Sequence, residues 1–324
     1  MPELILVDVG HGSCAIVTHA PGRCLIFDAG VGSTVLEVLE ENNLTTVDLV
    51  VVSHADADHL AGVGVLLLQP HIRVHSVMVN PDVRDSKEWT EFRIIVRDAG
   101  ARGTTVRPSA TTTDSPMQFE GVAVEILAPT PEVALATNDG RDLGGRSLSP
   151  NSMSVVVRVV VASTGAVLLP GDMDADGFQR LRAAHATMTA AVLVFPHHGG
   201  TAGTDEVLGF AEELTRSVGP RHVLFSLGRG RYGTPLPQVV AGTRRGAPQA
   251  VIACTQLSER CAAELPAAGP AHIGTIPAAG RTRRACCAGT MRFRLDAIAP
   301  MAPDIALHQE FITVNAPTAL CRQS

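Results

Sequence analysis

Residues 4–9, 14–18 and 24–27 are short apolar stretches separated by Gly10-His11-Gly12 and Pro21-Gly22, the pattern of strands joined by tight turns. Residues 34–43 space their apolar positions as a helix does, and residues 48–53 form a short apolar run suited to a buried strand. Residues 60–68, 75–79, 87–99 and 104–107 continue the alternation of helix and strand. A second series repeats it, with strands at 122–127, 154–161 and 166–169, a helix near 174–185, a strand at 191–195, a helix near 205–218 and a strand at 222–226. Two such halves predict an α/β fold, an αβ/βα sandwich in which paired sheets carry helices on their outer sides.

The 324 residues are 45% hydrophobic and 18% charged, enough to bury a large core and unlike a disordered chain. Residues 1–9 contain no basic segment leading into a long apolar run, and no apolar stretch reaches the roughly 18 residues of a spanning helix. The expectation is a soluble, cytoplasmic protein without a membrane partner. The net charge of −6 gives no overall attraction to a polyanion. Local basic groups are another matter: Arg229 and Arg231 flank Gly230, Arg244, Arg245, Arg281, Arg283 and Arg284 follow, and Lys87 is the one lysine. Arginine suits bidentate phosphate recognition, although a GC-rich coding sequence gives the same bias. Residues 129–150 show no clear period and are long for a connection, so they read either as a binding loop that brings Arg141 and Arg146 to substrate or as a surface insertion.

Candidate chemistry sits where strands end. His54-Ala55-Asp56-Ala57-Asp58-His59 places four metal-ligand side chains in six residues directly after the apolar run 47–53. Imidazole and carboxylate together suit Zn²⁺, Fe or Mn²⁺, and this many donors exceed what one ion with an open water position takes, so two ions are implied. Turn or cap roles would explain any one of the four, but charged groups this dense need partners or metal once buried. Gly171-Asp172 and Pro196-His197-His198-Gly199-Gly200 follow apolar stretches in the same way.

Taken in order, Asp8-Val9-Gly10-His11-Gly12-Ser13, Phe27-Asp28-Ala29-Gly30, the stretch from Ser53 to His59, Asn151-Ser152-Met153-Ser154, Leu169-Pro170-Gly171-Asp172 and the Pro196 to Gly200 stretch resemble the motif set of metallo-β-lactamase-fold hydrolases. The aspartate-rich H-x-D-x-D-H is similar to that of the hydrolase domain of ComEC competence proteins. The resemblance covers residues 4–255 and implies a four-layer αβ/βα sandwich with two mixed sheets and outer helices. It also sets the expected division, a hydrolase domain at 1–255 with a cysteine-containing extension, 256–324, packed on it.

Carried over residue by residue, the resemblance implies that His54 and Asp56 bind one ion, Asp58 and His59 the other, and Asp172 bridges them. Either His197 or His198 completes the second site, and the other meets substrate or protonates a leaving group. Asn151 stands near where lactamases carry another histidine ligand; amides are poor transition-metal ligands, so hydrogen bonding is expected of it. Asp8 resembles a first-strand aspartate that orients the metal loop from behind the ligands. Where ComEC-like chains usually read Tyr-Gly-His-Pro, this one has Tyr232-Gly233-Thr234-Pro235, a hydroxyl in place of a rim histidine. The loop with Arg229, Arg231, Tyr232 and Thr234 is expected beside the site, as substrate-binding residues.

Five of the seven cysteines, Cys254, Cys261, Cys286, Cys287 and Cys321, lie near or within the extension. Disulfides are disfavoured without an export signal, which leaves two readings. One is a structural zinc, a third ion, held by Cys254, Cys261, Cys286 and Cys321 or by a set that includes His272 or Cys287; the other is buried thiols. No tight C-x₂-C pair favours the metal.

The expected function is that of a binuclear metal-dependent hydrolase using two divalent ions, Zn²⁺ or Mn²⁺. A hydroxide held between ions about 3.5–4 Å apart would be the nucleophile, with Asp58, His197 and His198 as catalytic side chains. The ComEC resemblance favours a phosphodiester substrate, DNA or RNA included, although one Trp and one Tyr offer few platforms for stacking bases. Two alternatives stand beside it. One is hydrolysis of a small ester, lactam or signalling nucleotide; the other is an effector or sensor subunit of a bacterial defence system, controlled by a regulatory protein partner.

Overall fold

The computed structural model describes residues 1–80, 85–112, 115–136, 140–142, 144–145, 147–184, 187–267 and 269–322. The first half supplies β1 (Glu3–Leu6), β2 (Ala15–Ala20), β3 (Arg23–Phe27), α1 (Thr34–Glu41), β4 (Thr46–Val52), α2 (Ala57–Leu67), β5 (Arg73–Val74), β6 (Ser76–Val79), α3 (Lys87–Ala101) and β7 (Thr105–Arg107). The second supplies β8 (Met117–Phe119), β9 (Val122–Ala128), α4 (Pro131–Leu135), β10 (Val156–Val161), β11 (Thr164–Leu169), α5 (Ala175–Ala184), β12 (Val192–Val194), α6 (Val207–Val218), β13 (His222–Phe225), α7 (Pro237–Gly246) and β14 (Val251–Cys254). β15 (Met291–Arg294), β16 (Ala299–Ala302) and α8 (Ile305–Asn315) follow.

The strands form two mixed sheets, one ordered β16-β15-β1-β2-β3-β4-β6-β7 with β5 beside β4, the other β14-β13-β12-β11-β10-β9-β8. Period-two alternation decides which side chains go where. Leu4, Leu6, Leu49 and Val51 of the first sheet enter the core between the sheets, where they join Val157, Val159, Val167, Val192 and Leu224 of the second. Their neighbours Ile5, Val50 and Val52 turn the other way and pack with Val38 of α1, Leu60, Val63 and Leu66 of α2, and Trp89 and Phe92 of α3. On the far side Leu168, Leu193, Val223 and Ile252 pack with Phe178, Phe210, Leu214 and Val240 of the outer helices. A strand like β4, apolar without interruption from Leu49 to Val52, is what burial on both faces requires. The architecture is the four-layer αβ/βα sandwich.

Within the first sheet β3, β4, β6 and β7 run parallel, and within the second so do β11 to β14. Parallel strands discharge their loops at one end, and the loops leaving β4, β11 and β12 carry the metal-ligand motifs.

The chain beyond residue 226, for which the sequence pattern named no elements, forms α7, β14, β15, β16 and α8. β15 pairs antiparallel with β1, Leu4 opposite Phe293, while Phe311 and Ile312 of α8 enter the outer core of the second sheet. The extension expected to pack on the domain therefore contributes strands to one sheet and a helix to the other. In the long connection at 129–150, Arg141 donates to the Gly145 carbonyl at 2.7 Å and Asp142 meets Arg180 at 3.2 Å. These contacts turn Arg141 towards its own loop; Arg146 lies outside the described residues. Among the described residues no helix is long and apolar enough to cross a membrane.

Candidate metal centre

β4 empties into Ser53 and His54, after which Asp56 occupies the N-cap of α2, Asp58 lies in its first turn and His59 follows. His54 and His59 are fully buried. Asp172 leaves β11, and His197 and His198 leave β12 through a short 3-10 turn in which both take left-handed backbone angles, φ 52° and 54°. Such angles in consecutive non-glycine residues cost of order 1–3 kcal/mol each and cluster at functional sites.

Asp172 lies at the junction. Its Oδ1 is 3.2 Å from His59 Nε2 and 3.5 Å from His198 Nε2, while its Oδ2 is 4.0 Å from His54 Nε2 and 3.4 Å from His197 Nδ1. Asp56 Oδ2 lies 3.4 Å from His54 Nε2. Asp58 Oδ2 lies 3.6 Å from His198 Nε2 and 3.2 Å from His11 Nε2. Among the described residues two groups bring ligand atoms within 4.8 Å of one another: His54, His59 and Asp172, and His11, Asp58 and His198. The resemblance implied Asp58 and His59 on one ion with Asp172 as the bridge; in the structure His59 Nε2 and His198 Nε2 approach the same Asp172 oxygen, Oδ1.

The outward nitrogen of each buried histidine is set by what holds the inner one. His54 Nδ1 is 3.0 Å from Ser53 Oγ, His59 Nδ1 is 2.8 Å from Asp28 Oδ2, and His198 Nδ1 donates to the Ser226 carbonyl at 2.8 Å. The Nε2 atoms of all three are buried without a hydrogen-bond partner. Buried polar atoms are seldom left so, and neutral imidazole Nε2 is a common metal ligand. Zinc with bonds of about 2.0–2.2 Å in a tetrahedron holds ligand atoms roughly 3.3–3.6 Å apart, close to the spacings above. The donor set fits divalent metal.

Charge agrees with that fit. Burial opposes ionisation of Asp58, but His11 and His198 outweigh it and hold its carboxyl well below the usual range. Burial likewise opposes ionisation of Asp172, and His198, His59 and His54 overcome it. Burial disfavours the charged forms of His59 and His198, yet the surrounding aspartates raise both above the ordinary value. The carboxylates that raise these imidazoles are the charges that a divalent ion bound here would neutralise.

His198 points inward and His197, its side chain 32% exposed, stands on the rim. Asn151 Nδ2 lies 3.2 Å from His197 Nδ1, a hydrogen-bond contact. Both line a cavity of about 480 Å³ together with His11, Asp56, Asp58, Tyr232 and Thr234. The Thr234 hydroxyl is buried and has no hydrogen-bond partner. Arg229 does not line this cavity: its guanidinium donates to the carbonyls of Leu257, Ala262 and Ala263 at 2.7–2.8 Å, which braces the loop from behind. Arg231 is exposed and also absent from the lining.

Asp8, expected to orient the metal loop, is engaged elsewhere. It accepts hydrogen bonds from Gly10 N, Gln256 Nε2 and Gly280 N and so ties the end of β1 to the C-terminal segment. Asp28, from the quoted Phe27-Asp28-Ala29-Gly30 motif, holds the metal loop by accepting from Ser53 N and Oγ and meeting His59. Its position at the end of β3, like that of Asp172 after β11, was the available signal. His11 likewise had a signal, a potential ligand just beyond β1.

Four of the five cysteines near or within the extension, Cys254, Cys261, Cys287 and Cys321, line one small cavity. Cys254, Cys261 and Cys287 lie in the outer core of the second sheet with Cys321 against it, whereas Cys286 sits apart, 3.5 Å from Asp8 Oδ2. Among the described residues no cysteine joins a group of three close ligand atoms. Burial pushes the Cys321 thiol up to about 11 and the Cys254, Cys261, Cys286 and Cys287 thiols up as well.

Residues 7–232 match the family model described as the Metallo-beta-lactamase superfamily, and the chain belongs to that superfamily. A curated relative, ComE operon protein 3 of Bacillus subtilis (strain 168), is 24% identical over 261 residues, 74% of this chain and 30% of the relative. The chain thus spans less than a third of that protein's length. Among solved structures, Igni18, a metallo hydrolase from the archaeon Ignicoccus hospitalis KIN4/I, matches at 16% identity and a TM-score of 0.42 over 73% of this chain and 85% of that one. Zn(2+)-bound PqqB from Methylobacterium extorquens matches at 14% and 0.42, over 70% and 89%.

Proposed function

We propose that the protein is a binuclear metal-dependent phosphodiesterase. The observation that carries this reading is the set of three buried, unpartnered Nε2 atoms, on His54, His59 and His198, gathered around Asp172. Bound there, two divalent ions supply water activation at neutral pH and stabilise charge on a phosphoryl oxygen.

The side chains divide the remaining work. His54, His59 and Asp172 hold one ion, Asp58 and His198 belong to the other, and Asp172 faces both groups. Asp56 beside His54 adds a carboxylate to the first group. His197 on the rim, contacted by Asn151, is positioned to give a proton to a leaving alkoxide. Thr234 offers its unsatisfied hydroxyl to a substrate oxygen, and Tyr232 walls the entrance. A cavity of about 480 Å³ in a chain of net charge −6 favours a small or single-stranded phosphodiester over duplex nucleic acid.

The test is hydrolysis by purified protein with Mn²⁺ or Zn²⁺ of a chromogenic phosphodiester, single- and double-stranded DNA, RNA and a carboxylic ester, beside Asp58→Ala and His59→Ala. Activity on the phosphodiester, lost in both variants, is the expected result. Full activity in both variants sinks the metal mechanism, and turnover of the ester alone sinks the substrate class.

A further inference from the structure

We propose that His11 is itself a metal ligand and completes the site of Asp58 and His198. The proposal rests on the binuclear reading above and assigns one of its two ions. His11 Nε2 is 3.2 Å from Asp58 Oδ2, and His198 Nε2 is 3.6 Å from the same oxygen, spacings that suit ligands of one four-coordinate ion. The three ligand atoms lie within 4.8 Å of one another. With His11 included, each group consists of two imidazoles and a carboxylate, a donor set known to leave a fourth position open for water. His59 Nε2 faces the same Asp172 oxygen as His198 Nε2, at 3.2 and 3.5 Å, so His11 would add to a site that Asp172 and His59 also border.

The backbone is built to put His11 there. Ser13 N donates to the Asp58 carbonyl at 3.1 Å, so the loop after β1 docks directly on the first turn of α2. Gly12, at φ 131°, packs so closely that a Cβ would strike that same carbonyl, and a Cβ at Gly228 would strike His11 N. Ser226 ties the two histidines together: its hydroxyl donates to the Gly12 carbonyl at 2.7 Å while its own carbonyl accepts from His198 Nδ1 at 2.8 Å. The His11 ring then sits between His198, 4.6 Å away, and Tyr232, 4.9 Å away. One serine thus sets the spacing between two candidate ligands that are distant in sequence.

The test is Co²⁺ titration of metal-free wild type, His11→Ala, His11→Cys and His54→Ala, following bound metal and the cobalt spectrum, with circular dichroism as the check on folding. Wild type is expected to take up two ions. His11→Ala should keep one and bind the other at least about tenfold more weakly, as loss of even a supporting partner does. His11→Cys should recover the second ion and add a thiolate-to-cobalt band absent from wild type, a signature of direct ligation that carries the test even if His11→Ala does not fold. Two ions bound by His11→Ala as by wild type, or no new band in His11→Cys, overturns the ligand assignment. A wild type that binds fewer than two ions, judged against loss of one ion in His54→Ala, overturns the binuclear reading and the assignment with it.

Discussion

Asp28 Oδ2 lies 2.8 Å from His59 Nδ1, and this contact decides which imidazole nitrogen faces Asp172. The same oxygen accepts the Ser53 hydroxyl at 2.7 Å, and that hydroxyl stands 3.0 Å from His54 Nδ1, so one carboxylate orients both histidines of the first group. Asp28→Ala should therefore weaken metal binding by about 10–100-fold although Asp28 is not itself in either ligand group. Competition with a chromogenic chelator measures it. Unchanged affinity in a folded variant would show that the two rings hold their orientation unaided.

Thr234 separates stability from catalysis. Its hydroxyl is buried and unpartnered, a penalty of about 1–3 kcal/mol that removal relieves. Thr234→Val should leave the melting temperature unchanged or raise it, while kcat/KM on a phosphodiester falls about tenfold, the worth of about one hydrogen bond. A drop in melting temperature with unchanged kcat/KM would mean that the hydroxyl serves the fold.

Arg229 should act on the loop instead of on substrate charge. Its three hydrogen bonds to carbonyls at Leu257, Ala262 and Ala263 join the rim loop to the segment after β14. Arg229→Ala is expected to lower stability by about 1–3 kcal/mol, since hydrogen bonds from a charged donor are lost. Urea unfolding reads that loss, and the salt dependence of KM should stay as in wild type. A flattened salt dependence with unchanged stability would return Arg229 to the role of a phosphate contact.

How much of this was legible in the sequence follows from the range of the interactions. The run Leu49 to Val52 and the ligands after it are local, so both strand and metal loop could be read directly. Asp172, His197 and His198 could be named from their positions after apolar runs, but which of the two histidines turns inward depends on Ser226, 28 residues away from His198. Asp8 and Asp28 both follow strands, and only tertiary packing sends one to Gln256 and Gly280 and the other to His59. The C-terminal strands escaped for the same reason: Met291 to Arg294 is partnered by β1, some 290 residues earlier.

Buried His272 and half-buried His308 set a pH dependence away from the metal centre. Burial, with the His272 ring 4.9 Å away, lowers His308 from 6.5 to about 4. The folded chain keeps this imidazole neutral, 3.5 Å from Cys287 Sγ, while the unfolded chain protonates it near its ordinary value. Its contribution is therefore fully present above pH 6.5 and is lost as pH falls towards 4. At about 1.4 kcal/mol per pH unit the loss reaches at most about 3.5 kcal/mol. His308→Leu should remove that part of the decline, so the gap between variant and wild-type unfolding free energies, both measured with chelator present, should change steadily from pH 7 to pH 4 in favour of the variant. Parallel stability curves over that range would show that His308 takes up its proton in the folded protein as readily as in the unfolded chain.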